Sequence, residues 1–433
     1  MARLRHRFLR AEPGLRSEAA VTPIRGAQGR AGLWLRIVGG AIALAGPFLP
    51  AAEVFALWDD KITLLAEEKA THDDNVFRIS KDVDPATIGA SSRGDTYRTT
   101  SLGLNLDVPA SRQRFQAGYT WNATRYNQFT DLDSDGHDAR ATWLWQLGND
   151  ASGQLGYTET FALASFAFIQ SATPDPLRTR QAFFNAAHLV TPRWRLQAGV
   201  RGLEQTNGDP ERQKFDVNVR YTDVTVSYVT PANTSVGLSG RTEDGRFPNP
   251  PSPGSSVDNA YRQDSVGIVA DWTMTGVSHV SARVDRVRRR YAQVPQQDFD
   301  GVTARAQYDW KPTGKFSLAA VAQRDIYPYL DIGSSFVLVK GITLRPTLSL
   351  TEKIDVSGVF DYSIRDYLGN PGLASGTSPN RTDRVRSAAA TVSYRPARTI
   401  TLLMSAQREA RSSNVAFVDY AVNVRSIAAR ITF

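Results

Sequence analysis

The sequence contains no cysteine, which excludes a disulfide framework, a thiolate metal cluster and a thiol nucleophile. Histidine is scarce, and no two of the five have the close spacing of a zinc site. The five are His6, His72, His137, His188 and His279. The apolar fraction of 41% is too low for a membrane protein built from helices. We therefore expect neither a metal nor a cofactor.

Long apolar runs are also rare, and the longest lies near the start of the chain. Residues 1–36 carry eight arginines, the 13 residues 37–49 are apolar or small, and small residues lead on to Ala56. This order is typical of a cleaved secretory signal peptide. A membrane-spanning helix would need about 20 apolar residues, and Pro47 and Pro50 interrupt this run. The sequence predicts a leader over 1–56 and a mature part over 57–433.

The positive charge of the chain lies mostly in the predicted leader. The whole chain has a formal net charge of +8, and the leader alone has eight arginines against three glutamates. Without the leader the net charge is near +3, too weak for the localised basic surface that nucleic acid requires. We therefore expect an exported protein with no nucleic-acid partner.

The mature part alternates apolar and polar residues with a period of two. Clear examples are residues 115–123, 302–310 and 354–364. Successive side chains of a strand point to opposite faces, so this alternation predicts strands that are buried on one face. The pattern recurs along the whole mature part and indicates an all-β protein.

Short and long polar connections separate the predicted strands in turn. The eight short ones are 109–112, 148–152, 191–193, 230–233, 275–278, 312–314, 351–353 and 396–398. The nine long ones are roughly 70–95, 127–136, 167–179, 206–212, 246–261, 292–299, 326–335, 368–383 and 411–415. Short turns at one end and long loops at the other are typical of an outer-membrane barrel. We predict a transmembrane antiparallel β-barrel of about 18 strands, with 16 as the alternative, in contact with outer-membrane lipid.

Aromatic residues near the predicted short turns support a membrane location over a soluble sandwich. Interfacial rings prefer the boundary between lipid and water. The six are Trp194, Tyr228, Trp272, Trp310, Phe316 and Tyr394. The last strand, residues 426–433, ends in Phe433. Bacterial outer-membrane barrels resemble it in this respect, which predicts that Phe433 is read by the barrel assembly machinery.

Motifs for catalysis or metal binding are not recognisable. Nucleotide-binding glycine patterns and His-Glu-x-x-His are absent. His137 and His188 fall on apolar strand faces without a serine at a fixed spacing, which favours packed or interfacial side chains. Residues 131–136, Asp-Leu-Asp-Ser-Asp-Gly, resemble half a calcium loop without its later glutamate, so a solvated loop is favoured. The chain is not expected to be an enzyme.

Arginine dominates the predicted inner face of the barrel. Of 51 basic residues, eight are lysine and the other 43 are arginine. The candidate lumen arginines are Arg140, Arg195, Arg201, Arg241, Arg283, Arg305, Arg345 and Arg365. Arginine makes forked contacts with acidic groups, so this set could guide an anionic chain. Alternatively, it pairs with the carboxylates predicted for the same face and stabilises the wall; these are Asp216, Asp285, Asp309, Asp355 and Asp361.

Residues 72–78, His-Asp-Asp-Asn-Val-Phe-Arg, resemble a segment of the EpsL-type outer-membrane barrels of exopolysaccharide biosynthesis, the kind associated with exosortase systems. The tyrosine- and threonine-rich strand 220–228 and the terminal Phe433 are also similar. The resemblance implies a Gram-negative outer-membrane barrel, with the exopolysaccharide and its periplasmic synthesis and export proteins as partners, and it brings no catalytic residues. From the residues alone, Asp73, Asp74 and Asn75 are favoured as a turn after the first strand over a polymer or cation contact.

Barrel pattern and resemblance together predict a passive conduit that helps export an exopolysaccharide through a polar, arginine-lined lumen. A lumen enclosed by 18 strands is wide enough for an aqueous path or for an internal plug. Two other functions stay open: a general or solute-selective porin, and a non-conducting scaffold of the synthesis complex. Whether residues 246–261 fold inward as a plug is also open.

Overall fold

A computed structural model describes residues 61–169, 172–232, 234–249, 258–328, 334, 336–369 and 381–433. The predicted leader 1–56 lies outside the described residues. Eighteen strands form one sheet. They are β1 Ile62–Asp73, β2 Asp95–Ala110, β3 Gln113–Tyr126, β4 Ser134–Leu147, β5 Ala151–Leu163, β6 Pro176–Thr191, β7 Trp194–Asn207, β8 Val217–Val229, β9 Ser235–Arg246, β10 Tyr261–Thr275, β11 Ser278–Tyr291, β12 Phe299–Trp310, β13 Phe316–Pro328, β14 Phe336–Ser349, β15 Ile354–Leu368, β16 Thr382–Ala397, β17 Ile400–Ser413 and β18 Tyr420–Thr432.

The sheet closes on itself. Each strand pairs antiparallel with its neighbours in the chain, and β1 pairs with both β2 and β18. The backbone amide of Leu64 donates to the carbonyl of Phe433 at 3.0 Å, and the reverse bond measures 2.9 Å. Closure leaves no sheet edge unpaired, which is what a strand protein needs in lipid. The prediction of an all-β antiparallel barrel with 18 strands is confirmed, and the 16-stranded alternative is wrong.

Long connections lie at one end of the barrel and short ones at the other, as predicted. We number the long connections loop 1 (74–94) to loop 9 (414–419) in chain order. In the residues that the structure describes, they contain one short α-helix, α1, and four 3-10 helices. These are α1 Phe166–Ile169 and the 3-10 helices Pro85–Ile88, Thr130–Leu132, Pro210–Phe215 and Pro295–Gln297. None of the helices in the described residues has the length and apolar character needed to cross a membrane.

Apolar side chains cover the outside of the lower two-thirds of the wall, towards the short turns. Leu102, Leu238 and Val266 are each more than half exposed, which is the expected state of lipid-facing residues in a barrel. The predicted ring of aromatics beside the short turns is present. Trp194 packs edge-on against Tyr228 with ring centroids 5.5 Å apart, and Trp310 meets Phe316 at 6.0 Å.

The apolar side chains change face near the long-loop end of the strands. In β8, Val224 and Val226 are exposed on the outside, whereas Val217, Val219 and Tyr221 are buried inside. The strands have 12 to 16 residues, more than the 9 to 11 or so that cross the hydrocarbon. Their upper ends therefore rise above the lipid, where apolar residues pack inward and polar residues face out.

Candidate translocation path

The eight predicted lumen arginines lie on the inner face of the wall. Arg305 stands opposite Gln323 on one side and Arg283 on the other, and Gln323 is buried. The eight come from seven strands. They are Arg140 of β4, Arg195 and Arg201 of β7, Arg241 of β9, Arg283 of β11, Arg305 of β12, Arg345 of β14 and Arg365 of β15.

Several of these arginines contact the wall itself. Arg283 Nε donates to Asp285 at 2.6 Å, Arg305 Nη1 donates to Gln323 at 2.9 Å and Arg140 Nη2 donates to Asn105 at 2.8 Å. Each contact joins residues on the inner face of the barrel. Arg283 and Asp285 belong to the same strand, β11, whereas the bond from Arg305 joins the neighbouring strands β12 and β13 and helps to hold their register. These arginines thus stabilise the barrel wall, in addition to any contact with a solute.

Two further arginines contact other inner side chains. Arg195 Nη2 donates to Ser235 Oγ at 3.1 Å, and the Arg201 guanidinium lies 5.2 Å from the ring centroid of Tyr221. The guanidinium attracts the negative face of such a ring. Arg201 also interacts electrostatically with Asp223 and Glu243, so it too is held within the wall.

Carboxylates interleave with the arginines. Arg241 interacts electrostatically with Asp223, Asp285 and Asp325, and Arg365 interacts with Asp361 and Glu409. The inner face therefore carries both signs of charge and not a ladder of positive charge alone. Asp216, which the sequence assigned to this face, lies instead in loop 4, where it accepts hydrogen bonds from Asn207. It ends the 3-10 helix just before β8 begins, so the predicted strand started too early.

A buried cluster on β9, β10 and β11 lies near the long-loop end of the inner face. Arg289 is fully buried; its guanidinium lies 3.9 Å from the ring centroid of Tyr261 and 3.2 Å from Glu243. Its Nε donates to Gln263 at 3.0 Å. These contacts compensate a charge that would otherwise be costly to bury. This cluster was not predicted from the sequence, because its contacts depend on how β9, β10 and β11 pair.

A second cluster of the same composition lies on the inner ends of β15 to β18. Arg381 forms a 2.6 Å ion pair with Asp383 and lies 4.1 Å from the ring centroid of Tyr367. Arg411, also buried, lies 4.5 Å from the ring centroid of Tyr420. Both clusters thus place arginine guanidinium groups against tyrosine rings near the long-loop end of the inner face.

Loops 1, 2 and 3 share an apolar core at the long-loop end. Phe77 of loop 1 is 1% exposed, and its ring centroid lies 4.8 Å from that of Phe129 in loop 2 and 5.0 Å from that of Phe166 in α1. The three loops therefore pack on one another as one unit at the long-loop end.

Loop 3 reaches across the inside of the barrel. Ala167 of α1 packs against Tyr420 and Val422, which face the lumen from β18. Arg411 Nη1 donates to the carbonyl oxygen of Ala167 at 2.7 Å. Loop 3 leaves the wall between β5 and β6, so these contacts hold it over the interior and narrow the path.

The central residues of the segment 72–78 each have a structural role. Asp73 accepts hydrogen bonds from Asn75 N and Arg78 Nη1, both at 2.9 Å. Asp74 accepts two bonds of 2.7 Å from Asn423 of β18. Although burial works against the charge, the Asp73 carboxylate raises the pKa of Arg78 above its ordinary value. The segment locks loop 1 onto the seam between β1 and β18, in line with the turn favoured from the sequence.

The other sequence candidates lie away from the lumen. His137 faces outward, with ring centroids 5.7 Å from Tyr119 and 5.8 Å from Phe161. His188, opposite Leu196, is also on the lipid side. In residues 131–136, Asp133 accepts from Tyr126 N at 2.7 Å and Asp135 pairs with Arg125 at 2.8 Å. Within the described ranges no group of three or more His, Asp or Glu side chains is placed to hold a metal ion.

The carboxy-terminal part of the chain, residues 258–433, matches the family model described as "Putative beta-barrel porin 2". The chain is a porin-like outer-membrane β-barrel. Porins are channels and not enzymes, in agreement with the prediction that this chain is no enzyme. The matched part begins just before β10 and runs to the end of β18. No curated protein matches the sequence.

Solved structures of other barrels are similar in outline. OpdK from Pseudomonas aeruginosa has a TM-score of 0.48 at 9% identity, over 86% of this chain and 99% of that one. OccK2 (OpdF) from the same organism, solved in complex with glucuronate, has a TM-score of 0.46 at 11% identity, over 86% and 98%. FauA from Bordetella pertussis, an alcaligin receptor, scores 0.40 at 11% identity, over 86% and 76%. Sequence identities and TM-scores this low support no conclusion about a substrate.

Proposed function

We propose that this barrel is a passive outer-membrane path for acidic saccharides and that it helps export an exopolysaccharide. The observation that carries the proposal is the inner face, where arginines from seven strands alternate with carboxylates and tyrosines. A polar polymer crossing the bilayer must exchange its hydration for other hydrogen bonds. Guanidinium and carboxylate groups on both sides of the path offer those bonds.

The barrel itself cannot set the direction in which the polymer moves. A barrel wall holds no source of free energy, and the sequence has no nucleotide-binding glycine motif. Synthesis of the polymer and the periplasmic proteins of the export system would therefore push the chain outward. The resemblance of residues 72–78 to the EpsL-type barrels supports this assignment.

A solute-selective porin is the second candidate, and one observation favours it. Loop 3 is held over the interior through Ala167 and Arg411, and loops 1 to 3 share a core. A mouth narrowed in this way suits a small acidic sugar better than a polymer, unless the loops move aside. The match to a porin family supports this candidate at least as well as export.

Flux through reconstituted vesicles tests both candidates. The purified barrel would be placed in liposomes, and the release of uronic acid monomers and acidic oligosaccharides would be compared. The variant Arg305→Glu/Arg345→Glu/Arg365→Glu should slow both releases if the inner face guides the solute. A matched control changes three arginines of the short turns, Arg112→Glu, Arg193→Glu and Arg398→Glu, and should leave flux unchanged.

The outcomes separate the candidates. Release of oligosaccharides by the wild type, slowed in the inner variant only, supports a polymer path. Release of monomers alone supports the porin. Equal flux in the inner variant and the control would contradict guidance by the inner arginines.

A further inference from the structure

The outward ends of β16, β17 and β18 carry four arginines immediately above the apolar band. On β16 the outward residues Arg384 and Arg386 are followed, towards the short turns, by Ala388. On β18 the outward Arg425 is followed by Ile427. Arg408 of β17 stands opposite Ala388 on one side and Asn423 on the other. We call Arg384, Arg386, Arg408 and Arg425 the outer arginine patch; all four are exposed.

The outward positions at these three strand ends contain no acidic residue. They are occupied by arginine, alanine, serine, threonine and asparagine. Arg386 lies 5.9 Å from the ring centroid of Tyr362, which does not neutralise its charge. Among the residues described, no carboxylate oxygen comes within 4.0 Å of any of the four guanidinium groups.

The acidic residues that border the patch are engaged elsewhere. Asp366 of β15 pairs with Lys340 at 3.0 Å and accepts from Thr382 Oγ1 at 3.1 Å. Asp74 of loop 1 accepts two hydrogen bonds from Asn423. The patch therefore keeps its positive charge.

Several other outward arginines near the long-loop ends of the strands are paired with acids. Arg286 lies 2.5 Å and Arg288 3.4 Å from Asp300. Arg178 and Arg180 each lie 3.5 Å from Glu159. The outward positions of those sectors carry both signs of charge, whereas four arginines without an acid are grouped at β16 to β18.

We propose that the outer arginine patch binds the phosphate groups of a phosphorylated glycolipid in the outer leaflet. The long loops of such barrels lie on the cell exterior, so the patch lies at headgroup height of that leaflet. The register places Arg386 two residues above the partner of Arg408 on β16, and Arg425 two residues below its partner on β18. Residues two apart on a strand are separated by about 6.6 Å and neighbouring strands by about 4.8 Å. The four arginines therefore form a diagonal row in which adjacent guanidinium groups can bind a phosphate between them. Arginine suits this role because its fork matches phosphate oxygens.

Below the patch the wall offers a surface for acyl chains. Met404 and Ile427, which face each other, lie two residues below Ala406 and Arg425 and are exposed by 62% and 49%. Ala388 and Ala406 lie directly beside Arg408 and Arg425, so small side chains leave space between the arginines. An acyl chain can therefore lie against Met404 and Ile427 while its phosphate contacts the arginines. Both parts of one lipid molecule are therefore accommodated at the same sector.

Binding of lipid A to the purified full barrel in detergent tests the proposal. The probes are bisphosphorylated lipid A, the same lipid with both phosphates removed, and inorganic phosphate alone, with complexes counted by native mass spectrometry. The variant Arg384→Gln/Arg386→Gln/Arg408→Gln/Arg425→Gln should bind bisphosphorylated lipid A more than about tenfold more weakly. Replacing the same four by lysine should retain only part of the binding, because lysine keeps the charge and lacks the fork.

A matched control changes four paired arginines, Arg125→Gln, Arg178→Gln, Arg180→Gln and Arg288→Gln, and should bind as the wild type does. Gel mobility before and after heating verifies that each variant is folded; if the fourfold variant is not, Arg384→Gln/Arg386→Gln and Arg408→Gln/Arg425→Gln are tested separately. Equal binding of the dephosphorylated lipid, equal loss in the control, or tight binding of inorganic phosphate alone would overturn the proposal.

Discussion

Arg411 on β17 donates a hydrogen bond of 2.7 Å to the carbonyl oxygen of Ala167, although 244 residues separate them in the chain. The bond joins the inner wall to α1 of loop 3. Arg411 is itself buried, stacked on Tyr420 and close to Asp383. The width of the path thus depends on a side chain of the wall and not on loop 3 alone.

Replacing Arg411 by alanine should release loop 3. The loss of a charged hydrogen bond costs roughly 1.5–3 kcal/mol, enough to let the loop leave the interior for much of the time. We expect larger single-channel conductance and faster protease cleavage within loop 3. Arg408→Ala, on the outer face of the same strand, is the control; equal conductance in the two variants would contradict this role of Arg411.

Phe77→Ala should uncouple loops 1, 2 and 3. The side chain fills the centre of their shared core, and truncating a buried phenylalanine costs about 3–5 kcal/mol. Hydrogen exchange should rise in all three loops while the strands stay protected. Exchange that rises in loop 1 alone would mean that the three loops do not pack as one unit.

Asp73→Ala should weaken the seam between β1 and β18. The change leaves Arg78 without its 2.8 Å ion pair and removes the bond to Asn75 N, at a cost of roughly 2 kcal/mol. The urea midpoint of unfolding should fall, with the earliest exchange in residues 420–424. Asp82→Ala, which removes an exposed pair with Lys81, should leave the midpoint unchanged; an equal fall in both would contradict the assignment.

Phe433→Ala should lower the amount of folded barrel in the outer membrane. The side chain is 48% exposed on the lipid side, beside the seam, where an assembly factor could reach it. The amount of heat-modifiable protein in outer-membrane fractions measures the effect. Ile431→Ala, on the same face of β18, is the control; equal amounts of folded protein in both variants would contradict a special role for Phe433.

Most of the barrel could be predicted from the sequence because the same two-residue alternation of apolar and polar side chains recurs along its strands. Alternation in residues 302–310 and 354–364 locates β12 and β15, and turn residues mark both ends of each strand. Strand number, closure and the aromatics near the short turns follow from these local signals. The positions of the inner-face arginines follow as well, because the alternation alone assigns each residue of a strand to one face of the sheet.

The contacts near the long-loop end of the barrel could not be predicted from this alternation. In β8 the apolar positions move from even numbers at Val224 to odd numbers at Tyr221; this phase change is visible in the sequence and marks the edge of the lipid band. The contacts above it depend on three-dimensional proximity. Glu243, Tyr261 and Arg289 meet because of the register of β9, β10 and β11, and loop 3 meets β17 across the interior.

Export is tested most directly in cells that lack the gene for this barrel. Polysaccharide would be quantified separately in the medium, on the cell surface and in the periplasm, with wild-type protein and with Arg305→Glu/Arg345→Glu/Arg365→Glu restored in parallel. The account predicts loss outside the cell with accumulation in the periplasm, reversed fully by the wild type and only in part by the variant. An unchanged distribution after deletion would contradict export and leave the barrel a solute porin.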